Sequence, residues 1–244
     1  MTETIQSGAL YVVSTPIGNL DDISLRAIRI LKSVDLIAAE DTRTTRVLLD
    51  RLSISRPLIS YYSHNEARRL PELIATLKEG RSVALVSDAG TPGISDPAYL
   101  LIRGALAEQI KVIPIPGASA VLAALVASGL PMDRFVFEGF LPVKKGRTKR
   151  LEHLRDEDRT IVLYESPFRV ERTVADILRH MGNRRISIVR EITKKFEEVI
   201  RGSAAEVLET IRKRPPKGEM VIVVAGRLDG AVETVSDRQP EHRG

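Results

Sequence analysis

Cysteine and tryptophan are absent from this sequence, aromatic residues make up only 4% of it, and there are four histidines. Without cysteine there can be no disulfide framework, thiolate zinc site or thiol nucleophile. The histidines, His64, His153, His180 and His242, lie far apart with no ligand spacing, so no transition-metal centre is expected. No apolar run reaches the roughly 18 residues that a membrane-spanning helix needs. The opening MTETIQSG lacks the basic and apolar regions of a signal peptide, so a cytoplasmic protein is expected. Three common signatures are missing as well. The loop after the first apolar run is not GxGxxG, no GxxxxGK[ST] phosphate loop occurs, and no GxSxG elbow is present. Any nucleotide-like ligand must be held in another way.

What is present is ordinary globular material: 244 residues, 43% hydrophobic and 28% charged, enough for one large domain or two of about 100 to 130 residues. Short β-rich runs near 9–13, 34–39, 57–62, 83–87 and 110–115 alternate with amphipathic stretches near 23–33, 43–53, 65–79 and 95–107. That alternation predicts parallel crossovers and an open, doubly wound sheet with helices on both faces. PIPGASAVLAALVASGLPMD, residues 114–133, is a Pro-Gly turn, an alanine-rich helix and a Gly-Leu-Pro stop, and marks a domain junction. Strands near 134–140, 160–165, 186–192, 196–202 and 220–226 follow, with helices near 168–181 and 203–213. The short spacing between ISIVREI and FEEVIRG predicts an antiparallel pair and hence a mixed second sheet. The expected domains are 8–117 and 118–228, both α/β, with 229–244 a disordered tail.

Ligands of open α/β sheets bind outside the carboxyl ends of the strands, and the unusual loops fall there: STPIGNLDD (14–22), AEDTRTTR (39–46), SDAGTPGISDP (87–97) and PIPGASA (114–120). Asp88 is a candidate acceptor for hydroxyl or ammonium groups, and Gly90 and Gly93 would let backbone amides approach a ligand; the plainer reading is a turn with a helix cap. Asp21 or Asp22 would cap the helix beginning near Ile23. Glu40, Asp41 and Arg43 could orient or deprotonate a hydroxyl and meet a phosphate, or Asp41 could simply cap the next helix. The formal charge is +5, and KKGRTKR, 144–150, is its densest concentration. That run is either a solvated loop or a phosphate contact. With few aromatics, recognition of a nucleic acid should rest on phosphates and shape rather than broad stacking platforms. In VLYESPFRV, Tyr164 could face a cleft or the core. Glu219 is either a site residue or a solvated turn residue.

Together and in this order, STPIGNLDDISLRA, AAEDTR, SDAGTPGISDPA, PGASA, FEGFLP, YESPFR, REITKKFEE and GEMVIVVAG resemble the tetrapyrrole methylase superfamily, and within it the bacterial 16S ribosomal RNA 2′-O-ribose methyltransferases. The resemblance covers roughly residues 8–226. It implies a two-domain tetrapyrrole-methylase-like fold that binds S-adenosyl-L-methionine. By the same resemblance Pro16, Asp88, Ala89, Gly90, Thr91, Pro92, Ser119, Ala120 and Tyr164 would contribute to the cofactor pocket. It further implies methyl transfer to the 2′-oxygen of a cytidine in the decoding region, within the small ribosomal subunit, by a homodimer. Asp41 or Glu40 is the candidate for the hydroxyl proton, and Arg43, Lys144, Lys145 and Arg147 are candidate contacts to the RNA backbone. The competing readings are a small-molecule, porphyrin-like methylase of the same superfamily, a non-catalytic RNA-binding protein, and a phosphate-handling enzyme on a similar frame.

Overall fold

The computed structural model describes residues 5–96 and 98–228, so the expected tail at 229–244 lies outside the described residues. The chain divides into two units, the first ending at Ala120 and the second beginning at Val121.

In the first unit, five all-buried or half-buried strands are separated by helices: β1 (Leu10–Val13), α1 (Leu25–Ser33), β2 (Leu36–Ala39), α2 (Thr42–Arg51), β3 (Leu58–Ser60), α3 (Glu66–Lys78), β4 (Val83–Val86), α4 (Tyr99–Ala107) and β5 (Val112–Ile115). All pairings are parallel, in the order β3-β2-β4-β1-β5. Successive side chains on a strand point to opposite faces, and two cores result. Tyr11, Val13, Ile37, Ala39, Ala84 and Val86 pack with Ala27, Ile30 and Leu31 of α1 and Leu49 of α2. Leu10, Ala38, Val83 and Leu85 pack with Leu73 and Leu77 of α3 and Leu101 and Ala105 of α4. The chain therefore leaves β1 and β2 toward one face and β3 and β4 toward the other. Neighbouring strands that depart to opposite faces open a crevice at their carboxyl ends. Here β4, flanked by β2 and β1, is the centre of that switch.

The entry to α1 differs from expectation. Asn19 rather than an aspartate accepts from the Asp21 amide at a short 3₁₀ turn over Leu20–Asp22, and Ser24 caps α1 by accepting from Ala27 N. A serine two residues further on meets the geometry of a cap because the chain is still extended there, with φ −72° and ψ 146°.

The second unit runs α5 (Ala120–Ser128, whose first residue closes the first unit), β6 (Phe135–Phe140), α6 (Arg147–Arg155), β7 (Thr160–Glu165), α7 (Val170–Met181), β8 (Arg185–Arg190), β9 (Glu198–Ser203), α8 (Ala204–Lys213) and β10 (Met220–Val224). Its sheet is mixed, ordered β6-β7-β10-β8-β9, with only β6 and β7 parallel. Leu151, Leu154, Val174, Ile177, Val207 and Ile211 of α6, α7 and α8 cover one face through Ile161, Leu163, Ile186, Ile188, Ile222 and Val224. On the opposite face Ser187 donates its hydroxyl to the Ser128 carbonyl at the end of α5, at 2.9 Å. α8 carries a capping box, Ser203 with Glu206.

Arg184, 5% exposed, links three element ends of this unit. Its guanidinium donates to the carbonyls of Met181 at 3.2 Å, Glu157 at 3.3 Å and Ala225 at 3.2 Å, and to that of Arg155. Arg184→Met would fill similar space and leave these carbonyls without their donor. Each unsatisfied buried group costs about 1–3 kcal/mol, so the variant should lose about 2–4 kcal/mol in urea unfolding followed by circular dichroism, more than Arg184→Lys does. Stability equal to wild type would refute the role of this side chain as a tie.

Candidate active site

The loops that follow β1 and β4 grip each other through the backbone. Thr15 N donates to Gly90 O at 2.9 Å and Gly90 N donates back to Thr15 O at 3.1 Å. Ser14 Oγ and Thr91 Oγ1 share a hydrogen bond at 2.8 Å, and Thr15 Oγ1 donates to Ser87 O at 3.2 Å. Gly90 has φ +77°, a left-handed conformation that any side chain would strain. Gly117, after β5, is required for another reason: a Cβ there would lie 2.9 Å from Ser14 Cβ and push the β1 end away.

The ends of β2 and β4 are tied by a reciprocal exchange between acidic side chains and backbone. Asp41 N donates to Asp88 Oδ1 at 3.1 Å, and Asp88 N donates to Glu40 Oε2 at 3.3 Å. Asp41 also caps α2 by accepting from Arg43 N at 2.8 Å, and its carboxylate pairs with the Arg43 guanidinium, Nη2 to Oδ2 at 2.6 Å. Between these loops and the first turns of α2 lies a cleft of about 420 Å³, lined by Pro16, Ile17, Leu20, Thr45, Leu48, Asp88 and Ala89 among others. Its size falls within the span of small-molecule sites, about 300–1,000 Å³.

The four carboxylates here are not alike. The Arg43 side chain and amide hold Asp41 down at about 2. Burial raises Glu40, the charges of Asp88, Asp96 and Asp41 push the same way, and the Asp88 amide opposes them. Burial also raises Asp88, with the nearby charge of Asp41 adding to it, and raises Asp96, which accepts from Gly93 N at 2.5 Å. A cluster of carboxylates in which one is held ionised and three resist ionisation can accept donors from a ligand and can take a proton.

Of the residues singled out from sequence, Pro16, Asp88 and Ala89 line the cleft, Glu40 and Asp41 flank it, and Gly90 and Thr91 form the loop pairing behind it. Pro92 is buried, Ser119 and Ala120 are half-buried after β5, and Arg43 is exposed on α2. Tyr164, Lys144, Lys145 and Arg147 belong to the second unit. Tyr164 lies half-buried on β7, packed edge-on against Phe137 at 5.0 Å between ring centroids and against Phe140 at 5.6 Å. Lys144 and Lys145 are exposed.

Arg147 departs from expectation. It begins α6, is 3% exposed, and donates to Asp176 Oδ2 at 2.8 Å, Thr173 Oγ1 at 2.8 Å and Pro142 O at 3.3 Å. A guanidinium already buried and paired cannot offer its charge to a phosphate, so Arg147 is structural. Glu219, the other open case, is exposed and receives Lys194 Nζ at 2.7 Å. Sequence reasoning quoted Thr44 and Thr45 within AEDTRTTR without assigning them a role and passed over Val47, one turn into α2; all three line the cleft.

Asp88→Asn keeps an acceptor oxygen for Asp41 N and removes one charge from the cluster. Because the folded state raises Asp88, the stability linked to its protonated form is present below the ordinary aspartate range. It is lost as pH rises through the raised value. At pH 7 the substitution should therefore lift the thermal midpoint by about 1–4 °C, and the gain should shrink as pH is lowered through the carboxylate range. A lower midpoint at pH 7 would contradict this account of the cluster.

Residues 9–208 match the family model of tetrapyrrole (corrin/porphyrin) methylases. A protein of Halalkalibacterium halodurans named ribosomal RNA small subunit methyltransferase I is 51% identical over 220 residues, 90% of this chain and 76% of the relative. A protein of the same name from Thermotoga maritima is 47% identical over 220 residues, 90% of this chain and 99% of the relative. The solved uroporphyrin-III C-methyltransferase of Thermus thermophilus, complexed with S-adenosylhomocysteine, shares the fold, with a TM-score of 0.63 at 19% identity over 90% of this chain and 98% of that one. The chain belongs to the tetrapyrrole (corrin/porphyrin) methylase family and, within it, to the group of these small-subunit methyltransferase I relatives.

Proposed function

We propose that the protein methylates 16S ribosomal RNA in the small ribosomal subunit, at the 2′-oxygen of a cytidine in the decoding region, with S-adenosylmethionine as donor. What carries this reading is the identity of about half of the aligned residues to proteins named ribosomal RNA small subunit methyltransferase I, across nine-tenths of the chain. A homodimer working in the cytoplasm belongs to the same proposal. Among the described residues no helix is long and apolar enough to cross a membrane, and none form a metal-binding cluster.

The cleft of the first unit suits such a cofactor. Ile17, Leu20 and Leu48 offer apolar surface for a base, the Asp88 carboxylate can accept hydroxyl or ammonium donors, and Gly90–Pro92, in the loop behind the cleft, are proposed to support the cofactor from there. Ser119 and Ala120 are proposed to complete the contacts from this unit. Bound S-adenosylmethionine would supply a sulfonium methyl group that is already strongly electrophilic. The chain's own residues then have two tasks: aligning the acceptor oxygen, which can be worth effective molarities of about 10⁵–10⁸ M, and accepting its proton, worth about 10²–10⁴-fold. Alignment is the larger contribution.

Between the two candidate bases, Glu40 is favoured. Asp41, held near 2 by Arg43, is too weak a base and is occupied as a helix cap. The raised Glu40 carboxyl binds a proton more readily. Since the ionised form is the active one, the single-turnover rate should climb as pH rises through a value above the ordinary glutamate range. Glu40→Gln should lower that rate by about 10²–10⁴-fold and flatten its pH profile, with a smaller effect for Asp41→Asn. Near-normal rates in both variants would end the assignment, and the reverse order would move it to Asp41.

The reading as a whole is tested by incubating the protein with methyl-labelled S-adenosylmethionine and three acceptors from cells lacking it: small ribosomal subunits, naked 16S RNA and a small-molecule extract. Label in the subunit that maps to a 2′-O-methylcytidine is the expected result. Label confined to the extract would instead make it a small-molecule methylase.

A further inference from the structure

The register of the second sheet brings four loops to one edge. β6 and β7 run parallel and end together, Phe140 opposite Tyr164. Met220 at the start of β10 pairs with Glu165 at the end of β7 and with Arg190 at the end of β8, and Arg190 pairs with Glu198 at the start of β9. Residues 141–146, 166–169, 191–197 and 215–219 therefore share one rim. Lys144, Lys145, Lys195 and Lys217 are exposed on it, and among the described residues none of them is in an ion pair. The chain has only five phenylalanines, yet three are here and open to solvent: Phe168 at 97%, Phe196 at 66% and Phe140 at 55%. Lys195 Nζ lies 5.7 Å from the centroid of the Phe196 ring.

The loops that carry these residues are tied to one another. Arg169 Nη2 donates to Leu141 O at 2.5 Å, joining the loops after β7 and β6. Arg190 donates to Lys217 O at 2.8 Å and to Phe196 O at 3.2 Å, joining the other two. Lys194 Nζ bridges Glu191 at 3.1 Å and Glu219 at 2.7 Å. Glu191 and Thr193 are held at φ +48° and +66°, a strained backbone that persists only where its surroundings fix it. The rim's acids are used internally: Glu191 and Glu219 by Lys194, Glu198 by Arg190 and Arg214, Glu197 by Thr193 N. Glu197 and Glu219 are exposed though engaged, and beside them the rim presents unpaired lysines and solvent-open phenylalanines.

We propose that this rim is a platform for single-stranded RNA, with bases stacking on Phe168 and Phe196 and phosphates meeting Lys144, Lys145, Lys195 and Lys217. Exposed aromatic faces next to lysines are the chemistry of nucleobase stacking along a charged backbone. Unpaired lysines are depleted from protein interfaces, which argues against a protein partner on the same rim. Unstacked bases are available in RNA loops and not within an A-form helix, so the segment gripped is single-stranded. The inference rests on the proposed RNA substrate and adds where and how that RNA is held.

The test is binding of naked 16S RNA and of a single-stranded oligoribonucleotide by fluorescence anisotropy across a range of salt, for Phe168→Ala, Phe196→Ala, their double variant and the four single Lys→Ala variants. Each phenylalanine substitution should weaken binding by about 5- to 100-fold with the salt slope unchanged, and Phe→Trp should restore it. Each lysine substitution should reduce the slope by about 0.7 to 1. S-adenosylmethionine affinity by calorimetry should stay at wild type throughout. Wild-type RNA affinity in the double variant would overturn the proposal. So would a loss of binding that accompanies conversion of a dimer to monomers in sedimentation, since the rim would then be an interface between copies. If the wild type binds RNA in this pattern but transfers no methyl group to it, the reaction assigned above fails while the platform stands.

Discussion

The two-way hydrogen bond between Thr15 and Gly90 is the constraint on which the first unit's site depends. A parallel sheet delivers its strands to one edge with nothing to hold their ends together, because each chain leaves at once for a helix on one face or the other. Here the chain departs from β1 and β4 to opposite faces, which would leave the gap between them free to widen. Pairing Thr15 with Gly90 extends contact beyond the last strand residues and reverses its sense to antiparallel. The geometry needs φ +77° at residue 90, and glycine adopts that without penalty. Space is not the reason, since a Cβ there would meet only Ile17 Cγ2 at 3.6 Å and Ala118 O at 3.9 Å. The second tie, Asp41 N to Asp88 and Asp88 N to Glu40, does the same on the other side of β4. Cleft walls positioned from both sides of one strand hold their shape without a bound ligand.

That second tie is made with carboxylates, and it has an electrostatic cost. Three of the four acids around the β2 and β4 loops have raised pKa values; Arg43 pairs with Asp41 and lowers Asp88 without offsetting its burial. An amide could accept the same hydrogen bonds without repulsion, so backbone support alone does not account for the acids. Charge retained at a destabilising position is the usual mark of a site whose chemistry requires it. The second unit shows the opposite arrangement. Its buried acids are neutralised in place, Glu165 by Thr173, Ser166 N and Arg169, Asp176 by Arg147 and Arg172, and its rim presents lysine. A net charge of only +5 thus conceals two local fields of opposite sign.

Most of the strand and helix pattern was legible because burial follows the period of each element: LYVV, LIAA and VALV are strands with nearly every side chain buried, flanked by helices with one apolar stripe. α6 was not legible. Its sequence, RTKRLEHLR, follows Gly146 in the left-handed region with no side-chain cap, and its buried face consists of Leu151, Leu154 and the aliphatic stem and guanidinium of Arg147. An arginine in the apolar position breaks the pattern that would announce a helix, and for the same reason Arg147 read as a surface charge. Its partners Asp176 and Thr173 are almost 30 residues away in sequence, a separation that local patterning does not report. The carboxylate loops were legible as loops, but which of Glu40 and Asp41 is the better base depends on burial and on the Arg43 fork, both tertiary facts. Scarcity of aromatics, 4% of the chain, does not say where the few rings lie, and the exposure of Phe168 and Phe196 is a tertiary fact.

The proposed division of labour between alignment and base follows from the chemistry of the proposed acceptor. A ribose hydroxyl is a far weaker acid than any carboxylic acid, so a carboxylate cannot hold it ionised in the ground state and helps only as the oxygen–carbon bond forms. The gain from the base is then bounded by how constantly the oxygen is kept in line, and it is lost if the RNA segment slides by an ångström or so. Phosphate contacts alone resist sliding poorly, because the backbone repeats and one phosphate replaces the next at little cost. Stacking on a ring fixed by a strained, cross-tied loop resists it better, since a displaced base leaves the ring uncovered. On the proposed reading, in which alignment outweighs acid–base strength, a stacking ring is useful only on a loop that is itself held, and the Arg190, Lys194 and Glu191 contacts beneath Phe196 hold that loop.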